Sequence, residues 1–261
     1  MKENLSPEMS RYLFSNKEVL EALIDRYRYS VLEGLVKGIA HNLNGSLQIL
    51  SMRMEFLQRM LTQEQENSFP KALLHVEECL DQIEKFRNLI GIFLKKEIQD
   101  ERAGIQRIRI DDLFEGCLAL LYHNLFFKHQ VKAEKNISPA LPSVKAEYAD
   151  LSLALWNLIQ NALEAMEKSP VKVLTLGAGM EGGRIKVTIQ DTGCGISEEA
   201  KSHLFEPFFT TKKGKHRGLG LFTSRFLLEA CGASLKVSSH EGESVFTVYL
   251  PASPSPDIDR S

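Results

Sequence analysis

His41 stands in AHNLNGSLQIL, residues 40–50, with Asn42, Asn44 and Gly45 beside it. An imidazole on a helix surface is either a nucleophile or one more polar group in water, and this stretch leaves both open. Asn157 and Asn161 stand one turn apart in LWNLIQNALEAM, residues 155–166. Two stacked carboxamides can offer oxygens to a Mg²⁺ that also holds phosphates, because this ion keeps several waters and takes few protein ligands. Hydrogen-bonded surface amides are the alternative. In DTGCGI, residues 191–196, Asp191 can accept a hydrogen bond from an exocyclic amine, and Gly193 and Gly195 let main chain lie close to a flat base. The alternative there is a plain glycine-rich turn. Thr211 and Lys212 then open a basic run with Lys213, Lys215 and Arg217 that leads into Gly218, Leu219, Gly220 and Leu221 at a helix start. Main-chain N–H groups at such a start, with cations around them, suit a polyphosphate. The glycines fall where the chain must approach something closely, which favours the cradle over a solvated loop.

The elements that must carry these groups come from periodicity. Val36, Ile39, Leu43, Leu47, Leu50, Met54, Leu57 and Leu61 step by three and four, the seam of a helix packed on other helices. Two successive steps of four, Ile39 to Leu43 to Leu47, form a stutter beside His41. At about 100° per residue, His41 points roughly 160° away from Leu43, with Asn44 and Gly45 on its own face. The seam resumes in Leu73, Val76, Leu80, Ile83, Phe86, Ile90 and Phe93 after a break at Asn67, Ser68 and Pro70, so the spacing predicts a helical hairpin. Two helices alone leave apolar surface uncovered, and a second copy completing an antiparallel four-helix bundle buries it, which predicts a homodimer. Upstream, Ser15 and Glu18 match a capping box, and Ile24, Tyr27 and Val31 carry the stripe toward the hairpin.

Beyond residue 100 the pattern turns to short strands between helices. IQRIRI (105–110), VKAEKNI (131–137), VKVLTLGA (171–178), RIKVTIQD (184–191), SLKVSS (234–239) and SVFTVYL (244–250) read as strands, and Asp111 as the cap of a helix with Leu113, Leu118 and Leu121. The order implies an α/β two-layer sandwich with helices on one face of the sheet. The whole chain is then multidomain, α followed by α+β. A net charge of −2 gives no reason to expect nucleic acid, and no apolar run reaches the ~20 residues of a spanning helix. The chain reads as cytoplasmic. Its four scattered cysteines read as reduced thiols.

In combination, the paired-Asn helix, the strand followed by DTGCGI, and the basic segment leading into GLGL resemble the Bergerat-type ATP-binding fold. With the preceding hairpin the chain resembles the catalytic core of a sensor histidine kinase over residues 29 to 251. The resemblance implies ATP and Mg²⁺ as cofactors. It makes Asn161 the Mg²⁺ ligand and Asn157 its support on the phosphate side. Asp191 reads the adenine amino group, and Gly193 and Gly195 flank the base. LFEPFFTT corresponds to the F box, so Thr211 and Lys212 open a lid of roughly residues 210–217, and Gly218, Leu219 and Gly220 lie by the phosphates. His41 falls at the phosphoacceptor position. The implied domains are a helical lead-in (1–28), a dimerisation and phosphotransfer hairpin (29–99), an ATP-binding domain (105–251) and a disordered tail (252–261).

Two departures qualify the resemblance. Relatives usually carry Asp or Glu after the histidine, where this chain has Asn42, an amide that can orient the ring but takes up no proton at neutral pH. Four residues after the histidine, many relatives carry Thr or Asn to position water for dephosphorylation. Gly45 has no such side chain, and Asn44 on the same face is the substitute. The expected partner is a response-regulator receiver domain. The competing reading is a nucleotide-binding scaffold that docks a partner without phosphotransfer.

Overall fold

The computed structural model describes the backbone of residues 17–62, 73–80, 83, 104–121, 124–212 and 218–253, and the side chains of the same ranges except 17, 32–46 and 60–62. The chain divides into two compact units. Val31–Glu101 forms one, and the segment up to Ser30 joins everything from Arg102 onward in the other.

In the smaller unit, the long helix α1 (Lys17–Thr62), which begins in the larger unit, is helical through Gly45. Residues 73–80 are helical and return alongside it. Arg53 pairs with Glu78, and the Phe56 and His75 rings meet edge to face at 5.3 Å. Rising numbers on one helix meet falling numbers on the other, so the two run antiparallel. Leu57 and Cys79 are buried, whereas the seam residues Leu47, Met54, Leu73, Val76, Leu80 and Ile83 remain exposed.

The larger unit is a sheet with helices packed on one face. Its elements are β1 (Gln106–Ile108), α2 (Ile110–Leu121), α3 (Leu125–Gln130), β2 (Lys132–Ile137), β3 (Val144–Ala146), α4 (Tyr148–Met166), β4 (Val173–Glu181), β5 (Arg184–Asp191), α5 (Glu198–His203), α6 (Gly220–Ala230), β6 (Ser234–His240) and β7 (Glu243–Pro251). Five strands run in the order β2-β4-β5-β7-β6, with β2 parallel to β4 and the other pairs antiparallel. The short pair β1–β3 stands apart as its own sheet. Side chains alternate across a strand, so the register pairs Ile185 with Leu250, Val187 with Val248 and Ile189 with Phe246 on one buried face. Helix α4 covers this face with Leu151, Ala154, Leu155, Leu158, Ile159, Ala162, Leu163 and Met166, the three-and-four spacing of a buried stripe.

Two local expectations change. Helix α2 begins at Ile110, one residue before Asp111, and the Asp111 carboxylate pairs with Arg109. Asp111 is therefore a first-turn acid and not the cap. The second change concerns the N-terminal part of α1. Ile24 is 3% exposed and belongs to the core of the larger unit, with Leu20 packed against it, so the stripe read as leading toward the hairpin is covered instead by the sandwich domain. The break at residues 67–70, the seam residues Phe86, Ile90 and Phe93, and the tail beyond residue 253 lie outside the described residues.

Leu155 is fully buried between α4 and the sheet, and Leu125 is largely exposed. Leu155→Ala is expected to lower unfolding free energy by about 2–5 kcal/mol through lost burial and an unfilled cavity, whereas Leu125→Ala stays within about 0.5 kcal/mol of the parent. Urea unfolding of the two variants checks the contrast.

Candidate functional site

The buried row of β5 ends in a charge. After Ile185, Val187 and Ile189, the alternation turns Asp191 inward as well, and it is 1% exposed opposite Ser244. The Gly193 N–H donates to its Oδ1 at 2.9 Å. Burial raises the Asp191 pKa to about 6; the Gly193 N–H and the Lys212 ammonium pull it down, and Glu243 adds to the rise. An acid so placed is costly unless something else shares it, as an amine donor would.

Space makes the glycines next to it obligatory. A Cβ on Gly193 would stand 2.5 Å from Asp191 Oδ1 and 2.6 Å from the Ala165 Cβ on α4. Gly195 has φ of +75°, and a Cβ there would meet His240 O at 2.2 Å. The loop is also tied down on both sides, since Cys194 N donates to Ala165 O and Ile196 N donates to Ser239 Oγ.

On α4, Asn157 is buried and committed at both ends. The Tyr27 hydroxyl donates to its Oδ1 at 3.0 Å, and its Nδ2 donates to Gly220 O at 3.3 Å. The amide thus pins α4 to the start of α6, and the Ser224 hydroxyl repeats the link, lying 3.2 Å from Ala154 O and 2.9 Å from Gly220 O. One turn on, Asn161 Oδ1 accepts from Lys212 Nζ at 2.6 Å, and the same ammonium lies 2.5 Å from Glu164 Oε2. Two oxygens on one helix face converge on a single cation, so this donor set fits a hard metal ion. Gly218 (φ +67°) accepts from Phe208 N at 2.9 Å, fastening the phenylalanine-rich turn to the glycine segment. Leu219 is buried, and no side chain caps the first turn of α6. Such an uncapped start is where an anion is accommodated.

The structure therefore brings together Asn157, Asn161, Asp191, Gly193, Lys212, Gly218 and Gly220 around one end of α4. Thr211 is exposed beside Lys212. Lid residues 213–217 lie outside the described residues, as do the side chains of His41, Asn42 and Asn44, whose backbone is helical. Sequence reading missed Tyr27 and Glu164. Glu164 was within reach, three residues after Asn161 on the same helix face. Tyr27 gave no signal, since its partner is 130 residues away.

A family-level comparison matches residues 146–254 to the histidine kinase-, DNA gyrase B- and HSP90-like ATPases. The likeness falls on the stretch that carries α4, the glycine-rich loop after β5 and α6. Among full-length relatives, the sensor protein FixL of Bradyrhizobium diazoefficiens is 28% identical over 90% of this chain and 46% of its own length. The sensor histidine kinase ZraS of Escherichia coli is 24% identical over 92% of this chain and 50% of its own. The chain thus spans about half the length of the curated relatives it matches. The solved catalytic domain of histidine kinase ThkA is 25% identical with a TM-score of 0.51, covering 57% of this chain and 95% of that one. A mycobacterial sensor histidine kinase, MprB, shares the fold at 20% identity and a TM-score of 0.50, covering 58% of this chain and 99% of its own. The sandwich expected from the strand and helix order is the fold these catalytic domains share.

Asp191 gives a pH prediction free of any ligand. With its folded pKa near 6 against an ordinary 3.8, the fold favours the protonated acid. That stabilisation is fully present below the ordinary value and is lost as pH rises through about 6. Asp191→Asn stays neutral throughout, so its stability relative to the parent is expected to rise between pH 4 and 7, by on the order of 1–3 kcal/mol. Thermal melts across that range check it, and a difference independent of pH contradicts it.

Proposed function

We propose that this chain is the kinase core of a two-component sensor histidine kinase, which binds Mg²⁺-ATP, transfers the γ-phosphoryl group to His41 and passes it to an Asp of a response-regulator receiver domain. The observation that carries the reading is the convergence of Asn161, Asp191, Lys212 and the two glycine segments in a domain of the ATPase family, on a chain whose hairpin region holds His41. The relatives named as sensors match over the hairpin as well as the domain, which supports extending the reading to both. Seam residues exposed on the single chain, Leu47, Met54, Leu73, Val76 and Leu80 among them, support a homodimer closed into a four-helix bundle. No helix among the described residues is long and apolar enough to cross a membrane. A cytoplasmic location belongs to the same proposal.

Each residue has a part in the chemistry. Asp191 accepts the adenine amino group, and Gly193 and Gly195 give the ring a flat wall. The uncapped N–H groups from Gly218 to Gly220 take phosphate oxygens, with Lys212 as a counter-charge. Asn161 would hold the metal, which would supply charge neutralisation at the phosphates. Asn157 keeps α4 and α6 at a fixed separation. An imidazole nitrogen of His41 forms the new bond to the γ-phosphorus, the bond to the β,γ-bridging oxygen breaks, ADP departs, and the imidazole proton leaves to solvent or another side chain. The loose transition state of such transfers asks mainly for positioning and charge neutralisation. Asn42 orients the ring without accepting its proton, so the reaction is slow. Asn44 is the side chain that would hold water for hydrolysing the receiver's phosphate, and this phosphatase activity is weak.

Asn42 also favours one other reading, a nucleotide-binding scaffold that docks its partner without phosphotransfer. Incubation with radiolabelled ATP and Mg²⁺ separates the two. Acid-labile phosphate is expected on His41 and absent from His41→Ala, and equal labelling of both proteins sinks the kinase reading. Asn42→Asp is expected to accelerate labelling by on the order of 100-fold, the value of a general base restored to its place.

A further inference from the structure

Lys212 lies on a segment that leads into the glycine-opened helix, yet its ammonium rests on α4. It contacts Asn161 Oδ1 at 2.6 Å and Glu164 Oε2 at 2.5 Å, with both the lysine and the glutamate side chains about two-thirds buried. Asn161 and Glu164 are three residues apart, so helical spacing alone stacks an amide oxygen and a carboxylate on one face. The same ammonium lowers the pKa of buried Asp191, and the negative charge of Glu164 contributes to raising that of Tyr27 to about 12, after burial. Lys212 is thus the cation that balances the acidic end of α4.

Metal and ammonium compete for these oxygens. A divalent oxygen-seeking ion brought in with a nucleotide needs the same two side chains, directly or through a water in its shell, and an ammonium within 2.6 Å of both must leave first. The tether decides where it goes. Lys212 lies close in sequence to Gly218, so the displaced ammonium stays within reach of the phosphates and their negative charge.

We propose that Glu164 joins Asn161 at the metal end of the site, and that Lys212 is a tethered stand-in cation which metal loading transfers from α4 to the nucleotide phosphates. This rests on the reading of the site as one for Mg²⁺-ATP. It gives the site a charge switch, in which the ion-free state keeps Lys212 on α4 and the loaded state releases it.

Calorimetric titration with a non-hydrolysable ATP analogue, run in EDTA and in Mg²⁺, tests the switch on the whole chain. For the parent, Mg²⁺ tightens binding. Glu164→Gln is expected to bind more tightly than the parent in EDTA, because Lys212 is already free for the phosphates, and to lose about tenfold of the Mg²⁺ gain. Lys212→Met breaks the same ion pair but leaves the Glu164 carboxylate uncompensated near the phosphates, so it is expected to weaken binding in EDTA and, with no ammonium left for the metal to displace, to enlarge the Mg²⁺ gain. Glu164→Asp, which keeps the carboxylate, restores most of the gain. Melting curves of each variant establish that it is folded. An undiminished Mg²⁺ gain in Glu164→Gln, or parallel losses in Glu164→Gln and Lys212→Met, overturns the switch while leaving the nucleotide site standing. A parent that binds no nucleotide in either buffer overturns both.

Discussion

Helix α4 has to satisfy two demands with one set of residues. Its apolar stripe fills the space over β5 and β7, and this contact is close enough that a Cβ on Gly193 would collide with Ala165. The remaining faces hold Asn157, Asn161 and Glu164 at helical spacing. If α4 shifted along the sheet, the stripe would lose its fit and the amides would lose their partners together. Packing is dense and poorly compressible, so the position of the chemistry is set by the position of the core. The Asn157 amide and the Ser224 hydroxyl then fix the distance to α6, whose first turn is the other wall of the site.

Charge at the site is arranged around one uncomfortable group. Asp191 completes an otherwise apolar row, and its carboxylate gets one main-chain N–H and the influence of Lys212 in place of water. Such an arrangement lowers stability and leaves a buried carboxyl with room for a further donor. The acid is buried by the same alternation that buries Ile185, Val187 and Ile189, and the loop after β5 needs glycine at two places, Gly193 against Asp191 and Ala165 of α4, and Gly195 against His240 O.

Much of this was legible in the sequence because it is local. The strand β5 was read with its observed bounds, and the stripe of α4 from its spacing. Asp191, Gly193, Gly218 and Gly220 announced themselves by sitting at element ends. What escaped reading is non-local or depends on competition between partners. Asp111 has a capping residue's chemistry, but Arg109 takes its carboxylate and the helix starts a residue earlier. Ile24 and Tyr27 continue a helical stripe, and nothing in a period of three and four says which neighbour covers it. Lys212 was legible as a cation in the segment before the glycines, whereas its resting place on Asn161 and Glu164 depends on how that segment folds against α4.

The contact between Tyr27 and Asn157 has a practical corollary for anyone isolating the sandwich domain. Trimming to residues 146–254, where the family likeness is found, would discard the phenol that orients Asn157, the isoleucine seated in the core, and the strands and helices between residues 106 and 137. Water would then fill in against the amide and against apolar surface now covered by Ile24 and Phe114. Affinities obtained from so short a piece would describe a nucleotide pocket with one of its supports missing.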